Sequence, residues 1–196
     1  MVEGESPLVG VLALQGDFEA HARMLRGLGA QVREVRVPAD LDGLEGLVIP
    51  GGESTTMTLG IAREGLAQPL RELAQRGVPV LGTCAGLIML DREHLALMDI
   101  RAERNAFGRQ IRSFEADVEL RGSGIAPGPP LRGVFIRAPW IAEHGPDVEI
   151  LAEVDGHAVA ARQGDLLAVA FHAELTEDVR VHRLLLDAVA QRRAPA

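Results

Sequence analysis

The sequence has 196 residues, of which 47% are hydrophobic and 24% charged, as expected for one globular α/β domain. Its net charge of −8 and aromatic content of 3% argue against nucleic-acid binding through phosphate contacts or base stacking. No apolar run is long enough for a membrane span, and the acidic segment 1–5 does not resemble a signal peptide. The single cysteine suits a reducing cytoplasm and excludes a multi-cysteine metal site. All 20 basic residues are arginine, which excludes lysine chemistry.

The first half of the chain alternates predicted strands and helices. The first strand is a continuous apolar run, as expected for a strand buried on both faces. Asp17 is predicted to cap the helix that follows, and Gly29 to end it. Such an order requires parallel strands joined by helical crossovers. Strands are predicted at 8–14, 32–37, 44–49 and 78–81, and helices at 17–28, 54–64, 67–76 and from 87 onward.

The second half is richer in predicted strands. Short apolar runs separated by Gly, Pro and Asp lie at 115–120, 131–137, 148–154, 157–162 and 165–171. A hairpin is predicted to turn at Asp155-Gly156, and a last helix to span 177–191. The chain is therefore predicted to form one domain over residues 1–196. Its predicted fold is a three-layer α/β sandwich, with a mostly parallel central sheet and antiparallel additions in the second half.

The only cysteine lies between a predicted strand and a predicted helix, in residues 82–86 (Gly-Thr-Cys-Ala-Gly). A nucleophile flanked by small residues at a strand-to-helix turn is typical of a nucleophile elbow. Unpaired N–H groups at the start of the following helix would favour a thiolate at Cys84. A buried structural cysteine is the alternative reading of this residue.

A cysteine nucleophile needs a base, and the base needs an orienting group. Of the six histidines, only His172 follows directly on a predicted buried parallel strand, where functional groups gather in open α/β sheets. Glu174 lies two residues further on and, in an extended segment, would point the same way. His21 and His182 are predicted to lie at solvent-facing positions of helices. Cys84, His172 and Glu174 are therefore the candidate nucleophile, base and orienting carboxylate.

An oxyanion hole is predicted on the same edge of the sheet. Residues 50–54 (Pro-Gly-Gly-Glu-Ser) follow a predicted strand and precede a helix. The backbone N–H groups of Gly52 and Ala85 are the candidate donors. A phosphate-binding turn or an ordinary turn would also fit the two glycines, although no lysine supports phosphate binding.

Three motifs together resemble the class I, or triad, glutamine amidotransferases, which have a flavodoxin-like fold. They are residues 50–55 (Pro-Gly-Gly-Glu-Ser-Thr), residues 82–86, and residues 171–176 (Phe-His-x-Glu-Leu-Thr). Within that superfamily the chain is similar to the glutaminase subunits of pyridoxal 5′-phosphate synthase. The stretches that carry this narrower similarity are 14–17, 103–110, 135–139 and 174–178.

The resemblance implies that the protein hydrolyses L-glutamine to L-glutamate and ammonia through Cys84, His172 and Glu174. The ammonia would pass to a synthase subunit in a large hetero-oligomer, which builds pyridoxal 5′-phosphate from a pentose phosphate and a triose phosphate. No cofactor or metal is implied for this chain. Gln15 matches a residue that orders the oxyanion hole when the synthase docks. The glutamine-binding positions of the family match Gly52, Glu53, Ser54, Arg104, Ile136 and Arg137.

Two departures from the family pattern are visible. Ala173 stands where the family usually has proline between the catalytic His and Glu, which predicts a slightly looser triad. The stretch between Cys84 and Arg104 is also short for the family. Three other functions remain open on the sequence: the glutaminase of a different amidotransferase, a cysteine peptidase or hydrolase of related fold, and a non-catalytic scaffold.

Overall fold

The computed structural model describes residues 6–104 and 113–194. Segment 1–5 and most of the family stretch 103–110 therefore lie outside the described residues. The helices are α1 (Phe18–Gly27), α2 (Ser54–Arg63), α3 (Ala67–Gln75), α4 (Ala85–Leu90) and α5 (Arg180–Arg193). The strands are β1 (Leu8–Leu12), β2 (Gln31–Val35), β3 (Gly46–Ile49), β4 (Val80–Thr83), β5 (Ile100–Glu103), β6 (Ser113–Val118), β7 (Leu131–Ile136), β8 (Trp140–His144), β9 (Glu149–Val154), β10 (His157–Gln163) and β11 (Leu166–Val169).

A nine-stranded sheet forms the centre of the fold. Its order is β2-β1-β3-β4-β11-β10-β8-β5, with β9 also paired to β10. The first five strands in this order run parallel, and the pairs formed by β10, β8, β5 and β9 are antiparallel. This arrangement confirms the predicted parallel centre with antiparallel additions. The strands β6 and β7 form a separate antiparallel pair.

Helices cover both faces of the parallel strands. In the register of β3 and β4, Ile49 pairs with Gly82, and the Cα of Gly82 faces α4. Gly46, which points to the opposite face of β3, contacts Val189 of α5. The helix α1 contacts α5 through His21 and His182, so these two helices share a face. The three-layer prediction is therefore confirmed, and most of the buried core lies between the layers.

Several local predictions were wrong in detail. The strands β5 and β8 were not predicted, because β5 carries two charged residues in a run of four, β8 ends in Glu143 and His144, and the alternation is weak. The last helix begins at Arg180 rather than at 177, because Thr176 is extended after a 3₁₀ turn (Ala173–Leu175) and the Asp178 carboxylate accepts from the N–H of Arg180 at 3.0 Å. Asp17 stands at the N-cap of α1, but its side chain makes no capping hydrogen bond. The hairpin at Asp155-Gly156 is confirmed, with φ of 51° and 76° at its two central residues.

The placement of two histidines was also wrong. His21 and His182 were predicted to face solvent, and both are fully buried. His21 lies four residues before Leu25, and His182 three before Leu185, so each shares the buried stripe of its helix. The helical periodicity therefore indicated buried positions for both histidines, and only their polarity suggested that they are exposed. No helix in the described ranges is long and apolar enough to cross a membrane.

Candidate active site

Cys84 occupies a strained turn between β4 and α4. Its backbone has φ of 51° and ψ of −107°, a conformation that non-glycine residues rarely adopt. A Cβ on Gly82 would lie 2.6 Å from the carbonyl oxygen of Gly86, and one on Gly86 would lie 1.9 Å from that of Ile49. Only glycine fits at either position, because the flanking backbones touch. This geometry supports the predicted elbow.

His172 and Glu174 lie beyond the carboxyl end of β11, which is the strand next to β4 in the sheet. The Nδ1 of His172 is 2.7 Å from Glu174 Oε1. That contact leaves Nε2 as the ring nitrogen that can exchange a proton with Cys84, whose interaction with the imidazole affects the pKa of His172. The thiol also lies 3.9 Å from the carbonyl oxygen of Ile136. The short His172–Glu174 contact is made with Ala173 between the two residues, so proline is not needed for it.

The surroundings of His172 favour its protonated form. Burial alone lowers the pKa of this imidazole, but hydrogen bonds and charge interactions with Cys84 and Glu174 outweigh burial. The net effect raises the pKa of His172 from 6.5 to about 10. At neutral pH the ring therefore already holds the proton that a leaving amine needs.

The candidate oxyanion turn is held by Gln15. The Nε2 of Gln15 donates to the carbonyl oxygen of Glu53 at 2.8 Å, and its Oε1 accepts from the Glu53 N–H at 3.1 Å. Between these groups and Cys84 lies Gly52, with φ of 144°, which only glycine adopts readily. A Cβ on Gly52 would lie 2.5 Å from the Gln15 amide nitrogen. The orientation of the Gly52 backbone is thus coupled directly to the Gln15 side chain.

A cavity of about 280 Å³ opens over Cys84. Every residue that the resemblance assigned to glutamine binding lines this cavity. These residues come from three separate places in the chain: the start of α2, the end of β5 and the end of β7. Gln15 and Glu174 are not among the lining residues. The lining residues are Asp17, Gly52, Glu53, Ser54, Cys84, Ala85, Ile88, Arg104, Ile136, Arg137, Pro139 and His172.

Polar contacts fix two of the lining side chains. The Nη1 of Arg104 donates to Ser54 Oγ at 3.1 Å, which ties the end of β5 to the start of α2. The Glu53 carboxylate caps α2 by accepting from the N–H groups of Thr55 and Thr56 at 3.0 and 2.7 Å. These bonds, with that from the Thr56 hydroxyl as the largest cause, lower the pKa of Glu53 to about 2. Its charge therefore persists at any physiological pH.

Three lining residues were missed by the sequence analysis: Asp17, Ile88 and Pro139. Asp17 and Pro139 belong to the family stretches 14–17 and 135–139 but were given no role in the site, Asp17 being assigned to helix capping. Ile88 lies two residues after the stretch 82–86. Potential ligand atoms of Asp17, His172 and Glu174 lie within 4.8 Å of one another, so these residues could approach a metal ion. An ion held by His172 Nδ1 and Glu174 would have to break their 2.7 Å hydrogen bond. A reaction without metal stays a prediction.

The fold and the site together define a class of protein. A parallel sheet carries a cysteine at a strand-to-helix elbow, and a His–Glu pair follows the neighbouring strand. This is the arrangement of triad hydrolases and amidotransferases.

Comparison with known proteins narrows the class. The model of the SNO glutamine amidotransferase family matches residues 11–191. A relative from Clavibacter sepedonicus, named pyridoxal 5′-phosphate synthase subunit PdxT, is 51% identical over 95% of this chain and 92% of its own length. A protein of the same name from Pelotomaculum thermopropionicum is 52% identical over 91% of this chain and 93% of its own. A crystal structure described as a glutamine amidotransferase superposes with a TM-score of 0.85, at 43% identity over 93% of this chain and 98% of its own.

The chain therefore belongs to the SNO glutamine amidotransferase family. The predicted family and the predicted flavodoxin-like architecture are both confirmed.

Proposed function

We propose that this protein is the glutaminase subunit of a pyridoxal 5′-phosphate synthase, and that the whole chain forms one glutaminase domain. The observation that carries the glutaminase activity is the buried line Glu174–His172–Cys84, which ends at a cavity of about 280 Å³. Such a volume suits a small amino acid better than a peptide. The names of relatives about 50% identical over nearly the whole chain support the pyridoxal phosphate pathway.

The first half of the reaction forms a thioester. The Cys84 thiolate attacks the side-chain amide carbon of glutamine, and the N–H groups of Gly52 and Ala85 donate to the oxyanion. His172, protonated at rest, gives its proton to the departing ammonia, while Glu174 orients the imidazolium. In the second half, neutral His172 takes a proton from water, which attacks the thioester and releases glutamate.

Charged groups around the cavity match the two ends of the glutamine backbone. Arg104 and Arg137 line the cavity and suit the α-carboxylate, because guanidinium groups bind carboxylates strongly. Glu53 stays ionised and suits the α-ammonium group. Ser54, held by Arg104, and Ile136, whose carbonyl oxygen faces Cys84, complete the proposed binding site.

The product ammonia is proposed to pass to a synthase subunit in a hetero-oligomer rather than into solution. The absence of lysine supports this division of work, because imine chemistry would belong to the partner. We place the reaction in the cytoplasm, where a lone catalytic thiol stays reduced. No nucleic acid or membrane enters the proposal.

The synthase subunit is expected to activate this protein by roughly 10²–10³-fold, the usual worth of one oxyanion donor. The Gly51–Gly52 peptide can turn its N–H away from the substrate, and Gln15 is positioned to fix it. The measurement is steady-state glutamate production by the purified chain, with and without the synthase. Gln15→Ala should reduce the activated rate far more than the basal rate.

Two results would contradict this expectation. Full activity of the isolated chain, unchanged by the synthase, would refute the coupling. An equal loss of basal and activated rates in Gln15→Ala would make Gln15 merely structural. A matched control is Gln68→Ala on α3, where the exposed Gln68 amide donates to Glu72 Oε1 at 3.0 Å.

A further inference from the structure

A second group of polar side chains lies buried behind the triad. His21 of α1, His182 of α5 and Thr83 of β4 are all fully buried. The Nδ1 of His21 is 2.8 Å from His182 Nε2, and its Nε2 is 3.1 Å from Thr83 Oγ1. The same Nε2 lies 3.2 Å from Glu174 Oε2. The proposed reaction uses neither histidine, yet their ring nitrogens continue the line Cys84–His172–Glu174 into the core.

This buried group of His21, His182 and Thr83 matters because it lies beside the second carboxylate oxygen of Glu174, Oε2. The Glu174 side chain has no solvent exposure, and Oε1 is taken by His172. Among the described residues, Oε2 has no well-directed hydrogen bond. His21 Nε2 is the nitrogen that is placed to donate a hydrogen bond to Oε2, and Thr83 Oγ1 would accept from the same N–H. A buried carboxylate oxygen without a donor is costly, so a donor at the position of His21 Nε2 stabilises the observed orientation of Glu174.

Both buried histidines are neutral at physiological pH. Burial lowers the pKa of His21 well below 6.5, and electrostatic interactions with the His182 and His172 rings lower it further. Burial lowers the pKa of His182 to about 4. Each ring therefore carries a single N–H, and the tautomers follow from the contacts.

One tautomer pair satisfies the contacts better than the other. If His182 donates from Nε2 to His21 Nδ1, then His21 carries its proton on Nε2, directed at Thr83 and Glu174. His182 Nδ1, which has no partner in the described structure, is then a bare lone pair rather than an orphaned donor. The opposite choice would bury an unpaired N–H at His182 and set a lone pair of His21 against the Glu174 carboxylate.

We propose that His21 is a positioning residue of the triad. Its Nε2–H holds the second carboxylate oxygen of Glu174, and His182 fixes His21 in the tautomer that can do so. Glu174 is thereby held with Oε1 towards His172. The proposal rests on the proposed glutaminase reaction for its kinetic consequence, but the tautomer and the contact stand without it.

The first test needs no substitution. In protein labelled with ¹⁵N-histidine, the nitrogen shifts of His21 should show a neutral ring protonated at Nε2. A ring protonated at Nδ1 would overturn the proposal. Because this measurement uses no glutamine, it stands even if the glutaminase reaction were absent.

The second test compares His21→Leu with His21→Gln, whose amide N–H can reach the position of the imidazole Nε2. With the synthase present, His21→Leu should lower kcat for glutamine about tenfold or more, with KM nearly unchanged, since His21 does not line the cavity. His21→Gln should recover much of the loss. Alkylation of Cys84, the only cysteine, should slow in parallel at pH 7. Circular dichroism and melting temperature confirm that each variant is folded.

The third test places both substitutions in a Glu174→Gln background. A residue that acts through Glu174 should cause little further loss there, because the carboxylate it holds is gone. The same tenfold loss in both backgrounds would show a packing role and overturn the proposal. So would equal kcat and alkylation rates for wild type and His21→Leu. Among the described residues, the ionisable groups that face the Glu174 carboxylate are His172 and His21, and the exposed Asp17 lies nearby. The Glu174→Gln variant retains all three, so His21 is the only one of them that the added substitution changes.

Discussion

Replacement of Cys84 by alanine is expected to abolish glutaminase activity, with kcat in the presence of synthase falling by roughly 10⁴–10⁶-fold. The only cysteine of the chain stands at the elbow, and a thioester can form only on a thiol. Cys84 is 6% exposed, and alanine removes only the sulfur, so the fold should survive. The measurement is glutamate release per active site, together with the melting temperature of the variant.

A labelling experiment gives the control for this prediction. A diazo-ketone analogue of glutamine should modify Cys84 in the wild type and leave Cys84→Ala unmodified, as peptide mapping can establish. Cys84→Ser should also be inactive, because a hydroxyl is a far weaker nucleophile than a thiolate at neutral pH. Glutaminase activity in Cys84→Ala above a trace would refute the thioester mechanism.

The nucleophile elbow could be predicted from sequence because its determinants are local. A short apolar strand, two glycines and a cysteine stand within nine consecutive residues, and backbone contact at Gly82 and Gly86 explains why. The His172–Glu174 pair could be found for the same reason, since two residues of one segment form it. Neighbouring positions thus carry enough information when the geometry itself is local.

The wall of the cavity is a different case. Arg104 reaches Ser54 from 50 positions away, and Ile136 faces Cys84 from 52 positions away. Nothing in the local pattern places these residues together. The position of Ile136 follows from the N–H of His172 donating to the carbonyl oxygen of Val134 at 2.8 Å, which joins the end of β7 to the catalytic segment. The position of Arg104 follows from the pairing of β5 with β8. Only the family resemblance could name these residues in advance.

The buried histidines show where polarity misleads. A histidine on a helix is usually assigned to solvent, and the helical period places His21 and His182 on the buried stripes. Each is tolerated inside because the other supplies a hydrogen-bond partner, and that pairing spans 161 positions of sequence. The helical spacing of residues in a sequence can show that a polar residue is buried, but only the tertiary structure can show which group is its hydrogen-bond partner.

The last prediction concerns the general acid and its orienting group. His172→Asn is expected to lower kcat by roughly 10²–10⁴-fold, because the leaving ammonia then lacks a proton donor. Glu174→Gln should cost less, since the carboxylate only orients and stabilises the imidazolium. The pH profile separates the two roles. The pKa of His172 is raised to about 10, so the alkaline loss of activity should lie near pH 10 in the wild type.

In Glu174→Gln one of the causes that raise the pKa of His172 is removed, so the alkaline limb of the activity profile should move to lower pH.

The free energy of unfolding should also fall as the pH rises. The folded chain holds the His172 proton more tightly than the unfolded chain, whose pKa is near 6.5. The contribution of this proton to stability is therefore complete below about pH 6.5 and is lost as the pH rises through 10. Urea unfolding midpoints measured from pH 6 to 10 should fall more steeply for the wild type than for His172→Asn. Identical slopes, or an unshifted alkaline limb in Glu174→Gln, would mean that the pair does not hold the proton as its geometry indicates.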